Sequence, residues 1–387
     1  MPRNRMKKTL IYITHARIPS EKTPAPFALK TCESLARQGL AVELWAAKRH
    51  NPTFRGVDAF EYHGIARRFT VTYVPTIDVM RLLGQIGFLM MLFSFNVALF
   101  VRLRKRRDLI VYAHDLRDLI LPIFLGIPTY CEIHDFYESS LPLNGFILRR
   151  LRGVIVTNRL KIMRLKERYG IAEAKMLLQR NVVDAAQFDI AESKRAAREK
   201  LDLPLDVKLV MYTGHLYDWK GVNTLAEAAR YLPEDARVYF VGGTDEDREA
   251  LKEFAARKHV ARITFLPHQA HERMPYFQKA ADVLVLPNTG TQDVSKYETS
   301  PVKLFEYLAS GTSIVASDLP SIRDIVTEKE VFFARADDPK DFARAISEAF
   351  AGDLARSTAG KTLVQSATWD ERAKAIAGFI DARSRVR

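Results

Sequence analysis

A chain of 387 residues with 48% hydrophobic and 27% charged residues has globular composition and exceeds one typical core, so two domains are expected. Two cysteines, Cys32 and Cys131, exclude a disulfide framework; with no Cys-x-x-Cys or metal-ligand spacing they point to a reducing cytoplasm. The net charge of +13 asks for an anionic partner. No basic tract carries interleaved aromatics, which excludes nucleic acid and keeps an anionic membrane surface or anionic small ligands.

The N-terminal stretch MPRNRMKKTLIYITHAR is basic and then apolar for about five residues, shorter than the core of a signal peptide. TLIYIT is therefore expected to be a first buried strand. FALKTCESLARQGL repeats its apolar residues at three- and four-residue spacing and stops at Gly39, which predicts a helix. AVELWAA, LIVYAHD, PTYCEIHD and GVIVTN read as further strands. Such alternation implies a parallel sheet with right-handed crossovers.

LLGQIGFLMMLFSFNVALFV, Leu82 to Val101, is about long enough to span a bilayer and runs into RLRKRR, Arg102 to Arg107. Three readings stand: a transmembrane helix, a helix buried between layers, or an interfacial helix anchored to anionic headgroups across residues 82–107.

DAAQFDIAESKRAAREKLDLPLD is charged and alanine-rich and breaks the rhythm, so a domain boundary is placed at its start, giving domains 1–185 and 186–367. VKLVMYTG, RVYFVGG, RITFLPH, DVLVLPN, TSIVAS and VFFA then form a second strand series, each followed by a helical pattern. The amphipathic segment 368–387 is expected to pack back on the first domain.

Parallel sheets bind ligands in the loops at their carboxyl edges. In YTGHLYDWKGVNTL, Gly214 permits close approach of backbone to a ligand, His215 supplies a donor, and Lys220 can reach a phosphate. The spacing is not that of a Walker loop, and a plain turn with a surface lysine fits it equally. In KYETSPVKLFEYLASG, Ser300 suits an N-cap, Pro301 the first helical position and Gly311 the stop, predicting a helix over Pro301–Ser310. Leu304, Phe305, Leu308 and Ala309 share one arc; Lys303, Glu306 and Ser310 share the opposite one.

The first-turn N–H groups of such a helix attract an anion. Glu306 lies roughly 9 Å along the axis, and Glu298 lies on the other side. Carboxylates repel phosphate unless they accept hydrogen bonds from attached sugars. Glu306 would then hold a ribose and Glu298 a transferred sugar. The alternative is an i, i+3 pair of Glu306 with Lys303 and a solvated Glu298.

ETSPVKLFEYLASGTSIVASDLPSI resembles the E-x7-E region of family 4 glycosyltransferases, retaining enzymes of the GT-B fold. YTGHLYDWKGVNTLAEAA is similar to their donor-phosphate loop, QRNVVDAAQF to their domain joint, and WDERAKAI to their C-terminal helix. The resemblance implies an α/β GT-B architecture of two Rossmann-like domains facing across a cleft. It implies Glu298 against the donor sugar, Glu306 on the ribose, Lys220 on the departing diphosphate and the backbone of Thr299 and Ser300 on phosphate oxygens. His268 would face the base. His134, in EIHDFYES with Asp135, would be the cleft histidine near the sugar; His114 and Asp115 form a competing pair, and a backbone-bonded His134 is the alternative.

The resemblance further implies no metal and no cofactor. The donor would be a nucleotide diphosphate sugar and the acceptor a lipid-linked or surface glycan, handled at the inner face of the membrane. Two positions depart from the pattern: His215 where the family often has arginine, and Val182 where it has glycine. A nucleotide-sugar epimerase or phosphorylase, and a non-catalytic membrane-associated module on the same scaffold, are the competing functions.

Overall fold

The computed structural model describes residues 8–20, 22–134 and 141–385. Its chain divides into two units, Met1–Gln179 with Trp369–Arg387, and Arg180–Thr368. Each is a parallel sheet whose apolar strands are covered by helices.

The first unit holds β1 (Thr9–Thr14), β2 (Ala41–Ala47), β3 (Thr70–Val74), β4 (Leu109–Ala113), β5 (Thr129–Ile133), β6 (Gly153–Val156) and β7 (Met176–Leu178), in the order β3-β2-β1-β4-β5-β6-β7. All pairs are parallel. Residues of β4 and β5 are buried along their whole length, because each strand face meets a helix layer. On one face Leu10, Tyr12 and Leu44 pack with Leu29 of the Pro24–Arg37 helix and Ile376 of the Trp369–Arg385 helix. On the other, Ile13, Val111 and Cys131 pack with Met91, Phe95 and Leu99 of the Met80–Leu103 helix. That helix is interrupted at Gly84, where φ is 51° and ψ is −121°.

The Trp369–Arg385 helix is tied into this unit by more than apolar contact. Arg372 donates to Glu132, and Arg383 Nε donates to the Arg152 carbonyl at 2.6 Å while Arg152 Nη2 returns a bond to the Arg383 carbonyl at 2.7 Å.

The second unit holds β8 (Lys208–Thr213), β9 (Ala236–Val241), β10 (Ile263–Leu266), β11 (Val283–Leu286), β12 (Ser313–Ser317) and β13 (Phe332–Ala334), in the order β10-β9-β8-β11-β12-β13. The strand order reverses between β8 and β11. Loops leaving these two strands in opposite directions open a crevice at the carboxyl edge, the position where such sheets take ligands.

Candidate functional site

β8 ends at Thr213, and Gly214 follows with φ at 120°. A side chain there would run into the ammonium of Lys303, so the lysine Nζ lies on the glycine backbone. The same Nζ is 4.3 Å from the centre of the Tyr212 ring. What brings Lys303 here is Tyr307, one helical turn on. Its hydroxyl accepts from the Thr213 N–H at 2.9 Å and lies 3.1 Å from Thr213 Oγ1. The helix is thereby clamped to the strand end.

The helix spans Val302–Ser310, with Pro301 in extended conformation before it and Gly311 in left-handed conformation after it. Ser300 is therefore not the N-cap: no side chain caps this end. The arc of Lys303, Glu306 and Ser310 does not look out to solvent either. Ser310 is buried and the other two are half-buried, because this polar side meets the end of β8. No ion pair joins Lys303 to Glu306 among the described residues; Glu306 instead accepts from Gln278 Nε2 at 3.3 Å. Burial pushes the Glu306 carboxyl up, opposed by the charges of Lys303 and His271.

Lys220 closes a short turn, Asp218–Lys220, with its Nζ 3.6 Å from the centre of the Trp219 ring. Gly221 follows with φ at 67°, and its lack of a side chain lets the loop rest on the Pro287 carbonyl beyond β11. Burial, and then the Lys303 charge, hold the Lys220 ammonium well below its ordinary range. Burial brings Lys303 down to about 8, with Glu306 pulling the other way. Two lysines thus share one strand end, each made more acidic by being there. His215 is exposed, its ring stacked on Tyr217 with centroids 4.9 Å apart. Burial and Lys303 lower its pKa, with smaller effects from His268 and Lys220. His268 is exposed in the loop after β10.

Glu298 ends a wide turn, Val294–Glu298, closed by the Thr299 N–H on the Val294 carbonyl at 2.9 Å. It is buried, and the turn packs on the Lys220 turn. The Ser300 carbonyl accepts from Asn181 Nδ2 at 2.6 Å, which anchors the loop before the helix to the joint segment. Ser300 Oγ is buried without a hydrogen-bond partner among the described residues, a state that invites an outside donor or acceptor. Val182 does not take left-handed backbone; it is buried, so the missing glycine costs no strain there.

In the first unit, His134 follows β5. Its Nε2 lies 2.9 Å from Glu132 Oε1 but off hydrogen-bond direction, and its ring meets Phe27 edge-on at 4.7 Å. Among the described residues its ring thus meets a carboxylate and an aromatic ring. Asp135 lies outside the described residues. Nδ1 of His114 is 3.1 Å from the Tyr12 hydroxyl, and burial followed by the His134 charge lowers His114 to about 4. Asp115 accepts from Arg117 Nε at 2.9 Å.

Sequence reasoning missed three features. Lys303 has no role in the sequence reading beyond the alternative pair with Glu306, whereas its ammonium lies on Gly214. His15 Nδ1 lies 2.9 Å from Asp118 Oδ1 at the β1 edge; burial pushes His15 down, but Asp118 outweighs it and the pKa is raised. Ser300 was read for its backbone and capping role, while its hydroxyl is the unpartnered atom. Only Lys303 carried a usable signal, its place on one arc with Glu306.

The sequence profile of the family described as Glycosyl transferases group 1 matches residues 207–351. D-inositol 3-phosphate glycosyltransferase of Xylanimonas cellulosilytica is 29% identical over 194 residues, which cover 48% of this chain and 45% of that protein. The chain spans about half the length of the curated relatives it matches. Sucrose-phosphate synthase from Thermosynechococcus elongatus superposes with a TM-score of 0.80 at 18% identity, over 98% of this chain and 100% of that one. Anabaena HepE, solved in complex with UDP-glucose, gives 0.72 at 16% identity over 98% and 100%.

Proposed function

We propose, for a chain that carries a glycosyl transferases group 1 domain in a GT-B fold, that it moves a sugar from a nucleotide diphosphate sugar to a hydroxyl acceptor with retention of configuration. One observation carries the reading. From the Val302–Ser310 helix Lys303 brings its ammonium to Gly214, and its charge is felt by Lys220 in the loop after β8, without an ion-pair partner for either among the described residues. Buried like charges are expensive unless an anion completes them. A diphosphate, with its charge spread over several oxygens, suits two ammoniums and a helix N-terminus together.

Each neighbouring group then has a task. Ser300 Oγ and the backbone beside it bind phosphate oxygens, Glu306 accepts from the ribose, and Glu298 accepts from the transferred sugar. His215 and His268 border the diphosphate and the base. During transfer the bond from the anomeric carbon to the β-phosphate oxygen breaks, and its electron pair stays on that oxygen. The acceptor oxygen bonds to the same face of the carbon, and its proton passes to the departing phosphate. Lys220 and Lys303 stabilise the charge that develops there. We place that compensation on ammonium groups rather than on a metal ion, so a chelator leaves turnover unchanged. On the first unit, His134 and the His15–Asp118 pair mark the side for the acceptor, read as a lipid-linked or surface glycan. The glycosyltransferase named for the Xylanimonas relative and the UDP-glucose held by HepE support transfer from a nucleotide sugar.

The test is a panel of nucleotide sugars screened for thermal stabilisation, with the hit assayed for transfer and for slow hydrolysis. Lys220→Ala and Glu298→Gln should bind or turn over the hit far less while melting normally. Near-wild-type turnover in either would sink the site assignment. Epimerised donor without acceptor would favour the epimerase instead.

A further inference from the structure

We infer that the exposed face of the Met80–Leu103 helix, together with the basic turn after it, docks the first unit onto the surface of an anionic phospholipid bilayer. The helix is apolar almost all round, yet among the described residues only one side has a protein partner. Met91, Phe95, Leu99 and Leu103 are fully buried in the sheet's core. On the other side Ile86, Leu89, Phe93, Val97 and Val101 recur every three or four residues and stand in solvent, Phe93 at 73% exposure, and Leu82, before the break at Gly84, is 84% exposed. A contiguous apolar stripe of this kind marks an interaction surface. The next helix, Ile120–Phe124, packs against the same helix and adds Phe124, exposed as well.

Two polar side chains inside the helix, Ser94 and Asn96, donate to its own backbone. Ser94 Oγ donates to the Met91 carbonyl at 3.0 Å, and Asn96 Nδ2 donates to the Leu92 carbonyl at 2.9 Å.

Charge selects the occupant. Arg104, Lys105 and Arg107 follow the helix and are exposed; among the described residues none of them forms an ion pair, whereas Arg106 is held by Glu43 at 2.8 Å. Anionic headgroups neutralise such a turn, and acyl chains take the apolar stripe beside it. A second copy of this chain would bring the same excess of positive charge, +13, to the contact. The helix lies in the interface rather than across the bilayer, since spanning would tear Met91, Phe95 and Leu99 from the core.

Flotation of the full chain separates these outcomes without any assay of turnover, so its result is independent of the donor site. Vesicles of phosphatidylcholine with phosphatidylglycerol should lift the protein, and vesicles of phosphatidylcholine alone should lift far less. Replacing Ile86, Leu89 and Phe93 together by Glu should leave it at the bottom with unchanged melting. Changing Arg104, Lys105 and Arg107 to Gln should weaken partition by roughly fivefold per cation. Added salt should do the same in the wild-type chain. Flotation that survives the three glutamates would overturn the inference. So would resistance to alkaline carbonate, which means a span, or absence of flotation with a dimer that the glutamates dissociate, which means a second copy.

Discussion

The two units treat buried charge differently. In the first, Glu132 is fully buried, yet it accepts from Tyr112 at 2.6 Å and from Arg372, itself 2% exposed. Burial alone would raise that carboxyl; Arg372, His134 and Tyr112 together outweigh it and the pKa is lowered. In the second, burial lowers both Lys220 and Lys303 and the Lys303 charge lowers Lys220 further, with no ion pair to relieve either among the described residues. The first arrangement is complete within the chain and works as structure. The second is offset only by the more distant pull of Glu306 on Lys303, with no ion pair among the described residues, and a bound anion would complete it.

The contrast can be broken most forcefully at Arg372. Arg372→Ala leaves Glu132 buried and uncompensated, and it should destabilise the first unit by about 3–5 kcal/mol in denaturant melts. An effect below about 1 kcal/mol would mean that the pair is not structural. On the other side, Glu298→Gln and Lys220→Ala should lower transfer by about 10²–10³-fold without changing the melt.

Lys303→Met sharpens the difference, because its two effects have opposite signs. Removing a buried ammonium should raise the melting temperature of the free protein by a few degrees. It should also weaken binding of the nucleoside diphosphate by about 10–100-fold in calorimetry. A loss of both would assign Lys303 to structure. Tyr307→Phe orphans the Thr213 N–H and should cost about 1–3 kcal/mol of stability. It should weaken diphosphate binding less than Lys303→Met does.

The smallest effect is on pH. Lys303 holds its proton to about pH 8 in the free protein, against 10.5 unperturbed. Below pH 8 both folded and unfolded states are charged, and the burial penalty is in full force. From 8 to 10.5 only the unfolded state keeps the proton, so stability rises with pH across that window. A bound diphosphate favours the charged form. Binding should therefore take up a proton and weaken as pH climbs past 8, seen as buffer-dependent heats. Lys303→Met should abolish the uptake.

Much of this was legible in the sequence because it is local. Strand runs alternating with helical periods marked the second sheet and the first sheet except its edge strands β3 and β7, and the glycines and the Ser-Pro step marked the loops that matter. What was not legible depends on what a polar face meets. A helical wheel separates Lys303, Glu306 and Ser310 from the apolar arc, but it does not distinguish water from the polar end of a strand. Tyr307, bonded to Thr213, decides that, and the two are 94 positions apart. The wheel likewise left three readings for Leu82 to Val101, since an apolar helix looks the same whether covered on one side or on all. Glu132 and Arg372 lie 240 positions apart, and no periodicity connects them.

That separation bears on the order in which the protein is made. Residues 180–368 form a continuous stretch and can complete their unit once they have left the ribosome. The N-terminal unit cannot, although its strands emerge first. Glu132 waits without its guanidinium until the Trp369–Arg385 helix is synthesised. Domains in nascent chains generally fold from the N-terminus onward. Here the earliest part to be translated is the last to close, and a chain stalled before Arg372 presents an unsealed first unit to the quality-control machinery.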